Sequence, residues 1–178
     1  MSFVYKPPTE WIAPDVFPTE LLCQAKEIAI DLETRDPHLK ELGPGYIRGD
    51  GEAVGISFAI DGYENYFPFA HESGFNFSKK KVLEFTRKIC ATESDKVFHN
   101  STYDVGWLTH HGVPINGRII DTMIVAPLID ENQFWFSLNA LGREYINEGK
   151  SEGELSAAAE EWGLDPKADM WRLPSAYV

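Results

Sequence analysis

An α/β domain with a mixed sheet, its leading strands antiparallel, is the fold class that this 178-residue sequence predicts. Two apolar runs joined by Asp61-Gly62 follow an earlier apolar run, which describes a meander of three strands. Beyond them, stretches with apolar residues at helical spacing alternate with short apolar runs, so helices and further strands take turns.

The elements follow in order. Residues 1–20 hold Pro7, Pro8, Pro14 and Pro18 among Trp11, Ile12, Val16 and Phe17, and four prolines preclude a regular helix, so they read as an extended arm. Residues 21–25 form a short helical turn. Ile28, Ala29 and Ile30 read as a strand buried on both faces, and it ends in Asp31-Leu32-Glu33-Thr34. Residues 35–51 carry Asp36-Pro37, Gly43-Pro44-Gly45 and Gly49-Asp50-Gly51, turn signals that make a long loop. Residues 54–60 and 64–70 are the hairpin strands. Ser78 caps a helix over residues 79–91, with Val82, Phe85 and Ile89 inward and the basic run from Lys79 to Lys81 a solvated face.

Residues 96–99 are a strand leading through Asn100 to a helix over residues 105–110, which Gly112 and Pro114 end. Residues 118–120 are a brief strand, Asp121 and Thr122 cap a helix over residues 123–128 that Pro127 kinks, and residues 137–145 are helical with Leu138 and Leu141 inward. A loop at 149–153, an Ala- and Glu-rich helix over 154–163 and an interrupted tail at 170–178 complete the chain. The domain organisation expected is thus an arm at 1–20 and one domain over 21–178.

Composition narrows the function. An apolar share of 43% describes a globular chain, and no apolar run reaches the roughly 20 residues that span a bilayer, so no membrane partner and a cytoplasmic location are expected. Cys23 and Cys90 lack CxxC spacing and read as small buried hydrophobes. A net charge of −12 excludes a broad basic face for nucleic acid, though bound divalent cations can reverse the local field.

Residues two apart in a strand share a side, so Asp31 and Glu33 converge. Paired carboxylates at the end of a hydrophobic strand need a cation or a proton, and oxygen-only ligands favour magnesium or manganese. The other reading is that the strand stops at Ile30 and both are solvated turn residues. Asp104 likewise has two readings, as a cap at a helix start or as a third site carboxylate. Asp121 reads as a cap and His99 as a packed histidine.

Together, Asp31-Leu32-Glu33-Thr34 after a strand and Asn100-Ser101-Thr102-Tyr103-Asp104 at a strand-to-helix junction resemble the first two motifs of the DEDD-type 3′-5′ exonuclease domain of family-A, phage-type DNA polymerases. Val54-Gly55-Ile56-Ser57-Phe58-Ala59, Tyr66-Phe67-Pro68 with His71, and Asp121-Thr122-Met123 extend the likeness from Trp11 to the C-terminus. The resemblance implies a ribonuclease H-like fold and a proofreading activity that uses two magnesium or manganese ions on Asp31, Glu33 and Asp104 and releases 5′-mononucleotides from a single-stranded DNA 3′ end. It also implies that Leu32 and Thr34 lie against the terminal nucleotide, that Asn100 reaches the neighbouring sugar or phosphate, and that Tyr103 packs on a base.

The family's third motif, a Tyr or His four positions before an Asp, is absent after Asp104, and Asp165 and Asp169 lack the partner. The expectation is a domain incomplete at its C-terminus, whose fourth carboxylate comes from a DNA polymerase domain or a separate polymerase chain. A nuclease fold kept as a non-catalytic binding module, with Trp171 and Leu173 docking on a partner, and an RNA-directed exonuclease are the alternatives.

Overall fold

The computed structural model describes Thr9 and residues 11–149 and 153–178. Most of the proposed arm's first ten residues, and residues 150–152 of the loop expected at 149–153, lie outside the described residues.

Five strands form one sheet in the order β3-β2-β1-β4-β5. They are β1 (Glu27–Arg35), β2 (Glu52–Ile60), β3 (Tyr63–Pro68), β4 (Asp95–Phe98) and β5 (Ile119–Asp121). β1, β2 and β3 pair antiparallel, while β4 and β5 join β1 in parallel, the mixed sheet that the hairpin signal and the later alternation predict.

Eight helices accompany the sheet among the described residues: α1 (Thr19–Cys23), α2 (Leu39–Leu42), α3 (Gly45–Arg48), α4 (Lys79–Cys90), α5 (Ser101–His110), α6 (Thr122–Ile129), α7 (Leu138–Tyr145) and α8 (Gly153–Trp162). α1, α4 and α5 close the core on one face of the sheet, where Ile28, Ile30 and Leu32 meet Phe58, Phe67, Val82, Phe85, Ile89 and Trp107. Burying such side chains stabilises by roughly 1.5–3 kcal/mol each.

Several elements differ from expectation, each for a packing reason. β1 runs through both carboxylates to Arg35 because β2 pairs with it over that length, so Asp31 and Glu33 are strand residues and not a turn. β1 is buried on one face only: Ile28, Ile30 and Leu32 are inside and Ala29 is exposed. α1 begins inside the proposed arm, at Thr19. The loop after β1 contains α2 and α3, pinned by Asp36, whose carboxylate accepts from the Gly45 amide at 2.7 Å and pairs with Arg48 at 2.8 Å. Leu141 is buried, but Leu138, expected inward, stays exposed, on the lining of an open cavity. Cys90 is buried, and Cys23 only partly so.

The tail departs most. Leu173 is fully buried with Ala158, Ala159 and Tyr177, and two 3-10 turns, Met170–Arg172 and Ser175–Tyr177, carry the chain across the body. The Glu72 amide donates to the Trp171 carbonyl at 2.9 Å, and Ser175 Oγ donates to the Phe75 carbonyl at 2.6 Å. Leu173 is therefore a core residue and is unavailable to a partner.

Candidate active site

The sheet alternation sets the site. With Ile28, Ile30 and Leu32 committed to the core, Asp31 and Glu33 must emerge on the opposite face. Asp31 pairs across the ladder with Ser57, and Ser57 with Tyr66, so one row of that face reads Asp31, Ser57, Tyr66. In the next row Glu33 pairs with Gly55, and the register shifts immediately afterwards, before Thr34. Such bulges re-aim side chains at strand ends. Small residues at Ala29, Ser57 and Ala59 leave this face low, and a cavity of about 750 Å³ opens over it with Asp31 in its lining.

The second segment is built on α5. Asn100 precedes it with φ 69°, a left-handed conformation that asparagine tolerates better than most residues. Its amide and that of Ser101 donate to the Asp121 carboxylate at 3.1 and 2.6 Å. Asp121 also accepts from Met123 at 2.9 Å, so one side chain caps two helices; burial opposes its charge, but these hydrogen bonds win and hold its pKa below the usual value. The sequence reading found the cap on α6 and missed the one on α5, because the 20-residue separation from Ser101 carries no local signal.

The helix starts at Ser101, earlier than the spacing suggests, which places Asp104 within the first turn and not at the cap. Its side chain is 3% exposed, and Oδ1 accepts the Leu32 amide at 3.1 Å. Burial first, and the charge of Asp31 next, push its pKa up to about 7. A carboxylate raised in this way is half protonated near neutrality until something positive joins it.

The remaining predicted residues divide. Tyr103 is half-buried, its hydroxyl donating to Asp36 at 3.1 Å and meeting Thr34 Oγ1 at 2.8 Å, which ties the loop after β1 to α5. The Leu32 side chain, expected against a nucleotide, is 5% exposed in the core, because the alternation that exposes Asp31 turns it inward. Its amide donates to Asp104. His99 reads as packed in part, with Nδ1 2.9 Å from Thr122 Oγ1, and it also lines the cavity.

Three oxygen donors of this kind suit a hard divalent cation in chemistry. In this conformation, however, no group of three His, Cys, Asp or Glu side chains among the described residues stands close enough to hold a metal ion.

Comparison with known proteins bears on this arrangement. Residues 18–173 match a family model described as 3′-5′ exonuclease. A DNA-directed DNA polymerase of Pseudomonas phage M6 is 39% identical over 175 residues, 96% of this chain and 26% of that protein. The chain thus spans about a quarter of that polymerase. Among solved structures, Brucella melitensis NrnC with bound Mg2+ is 18% identical with a TM-score of 0.54, covering 75% of this chain and 60% of that one. Escherichia coli RNase D, an exoribonuclease, is 15% identical with a TM-score of 0.53, covering 76% and 32%. The sheet and its flanking helices are those of ribonuclease H-like exonucleases.

Proposed function

Because the chain belongs to the 3′-5′ exonuclease family, we propose that it is the proofreading domain or subunit of a phage-type DNA polymerase, removing nucleotides from a single-stranded DNA 3′ end. The observation that carries this reading is the hydrogen bond from the Leu32 amide to Asp104, which fastens the second motif against the strand that bears Asp31 and Glu33. A DNA polymerase of a phage at 39% identity supports DNA over RNA as substrate. Among the described residues no helix is long and apolar enough to cross a membrane; the phage polymerase relative supports a site in the host cytoplasm.

Asp31, Glu33 and Asp104 are the proposed ligands of magnesium or manganese. Bound there, two such ions supply an acidified water and neutralise charge that develops on the phosphate. Asp31 and Glu33 orient those donors from one sheet face, and Asp104 reaches the same region from the start of α5. On loading, Asp104 must give up the proton that burial and the charge of Asp31 make it hold more tightly than an ordinary carboxyl. Thr34 and Asn100 line the approach, and Tyr103, its hydroxyl held by Asp36, offers a ring edge to a base. The fourth carboxylate is supplied by polymerase sequence outside these 178 residues, since no Tyr or His stands four positions before an Asp after Asp104.

The test is release of mononucleotides from 3′-labelled DNA and RNA strands with manganese, by this chain alone and mixed with the remaining polymerase polypeptide. Release from DNA in the mixture is expected. Cleavage of RNA alone means an exoribonuclease, and silence throughout means a binding module.

A further inference from the structure

β1 ends in Arg35, a cation on the strand that bears the carboxylates, and the catalytic reading leaves it without a task. It stands two residues past Glu33, so the strand alternation turns it to the side of the sheet where Asp31 and Glu33 emerge. Thr34, between them, turns the other way and meets Tyr103 of α5. The register shift after Glu33 leaves this alternation intact, because the extra residue, Val54, lies on β2: Gly55 faces Glu33 and Ala53 faces Thr34.

The tail crosses β1 at this point. The 3-10 turn Met170–Arg172 packs against the strand, and the Arg35 guanidinium lies over the Trp171 ring, 5.2 Å from its centroid. Trp171 is fixed in turn through its carbonyl, which accepts from the Glu72 amide at 2.9 Å. The ring that the sequence offers as an anchor for a partner is thus engaged within the chain, by a cation.

What that cation lacks is an anion. Its ladder partner on β2 is Glu52, but the Glu52 carboxylate pairs with Lys79 at 2.9 Å. Arg172, the neighbour of Trp171, is the contrasting case, held by Glu72 at 3.4 Å and Asp169 at 3.3 Å. Among the described residues Arg35 makes no ion pair, and its Nε–H is buried without an acceptor. A donor left in this way is a cost that a purely structural side chain avoids, and an acceptor arriving from outside removes it. A guanidinium that a ring face holds, with no carboxylate to fix its edge, can turn its fork of N–H donors to such an acceptor, and the fork matches two oxygens of a phosphate. A chain of net charge −12 offers a polyanionic strand few places to land, and this is one, on the carboxylate side of the sheet.

We propose that Arg35, laid on Trp171, binds a backbone phosphate of the single strand whose 3′ end lies at the carboxylates. This rests on the substrate proposed above and calls on no metal. The packed tail takes part, since Trp171 holds the face of the cation and leaves its edge to the phosphate.

The experiment is fluorescence anisotropy of a 5′-labelled oligothymidylate titrated with the full chain in chelator at several salt concentrations, with folding of each variant checked by circular dichroism and thermal unfolding. Binding by the wild type is expected, and none overturns the substrate reading and this proposal together. With binding shown, Arg35→Gln, an uncharged planar replacement, weakens it roughly three- to tenfold and lowers the slope of log affinity against log salt by about 0.7, one phosphate's share. Arg35→Lys loses affinity but keeps the slope, because the charge stays and the fork goes. Lys80→Ala removes the same charge from the exposed side of α4, which covers the other face of the sheet, and leaves the slope near wild type. An unchanged slope in Arg35→Gln, or an equal drop in Arg35→Lys or Lys80→Ala, overturns the proposal while the substrate reading stands. Should Arg35→Gln not fold, Arg35→Met, whose unbranched stem packs on the ring, is read in the same way.

Discussion

Asp104 Oδ1 accepts the backbone N–H of Leu32 at 3.1 Å, joining residues 72 positions apart in a buried contact. This hydrogen bond, with that between Thr34 Oγ1 and the Tyr103 hydroxyl, holds the start of α5 to the strand, and the residues on either side of Leu32 are Asp31 and Glu33. The acceptor of the Leu32 amide is a carboxylate that burial has raised to a pKa of about 7, and that cost shapes the stability of the domain.

Between the unfolded value near 3.8 and the folded value near 7, the folded chain holds a proton on Asp104 that the unfolded chain has released. Metal-free stability therefore falls as pH rises through that window and levels off above it, by about 1.4 kcal/mol per pH unit and on the order of 4 kcal/mol in all. Urea unfolding from pH 4 to 8 in chelator measures the slope. Asp104→Asn removes this contribution, and magnesium restores stability at the alkaline end.

Asp31 is exposed and adds to the repulsion felt by Asp104. Asp31→Ala is expected to lower metal-dependent cleavage by about a hundredfold or more, since members of a cooperating set share the catalysis. Its melting temperature equals or exceeds that of the wild type. Cleavage at the wild-type rate shows that the site lies elsewhere.

Asp121 accepts three backbone amides, at the starts of α5 and α6. Asp121→Ala uncaps both helices and destabilises by about 1–4 kcal/mol, twice the loss for one cap. Denaturant unfolding reads the loss, and a drop in manganese affinity accompanies it because Asp104 sits on the uncapped turn.

Asp36 gathers the Gly45 amide, the Arg48 guanidinium and the Tyr103 hydroxyl, with its own side chain 2% exposed. Asp36→Ala leaves the Arg48 guanidinium with Asp50 as its carboxylate partner and the Gly45 amide and Tyr103 hydroxyl without their acceptor, and costs about 2 kcal/mol. Hydrogen exchange speeds up locally over residues 36–51, and the core strands β1 and β2 keep their protection.

Much of the fold was legible because its signals are local. The Asp61-Gly62 turn and the stripe of Val82, Phe85 and Ile89 each depend on residues a few positions apart. Strand period set Asp31 and Glu33 on one side provided the strand ran on past Ile30, and the pairing with β2 decided that it does. The single turns α2 and α3 were not legible, since their stability comes from Asp36 and not from propensity. Nor was the packed tail, whose Leu173 reads from sequence as an exposed anchor and is in fact core.

By itself, the sequence determined the mixed α/β class, the two carboxylate motifs and their family resemblance, because period, turn chemistry and motif spacing are written in neighbouring residues. Only the tertiary structure decided that the Leu32 amide meets Asp104, that Asp121 caps two helices, and that the Tyr66 hydroxyl meets His71. Those relations join residues brought together by sheet register and burial, and no local pattern encodes which distant donor meets which acceptor.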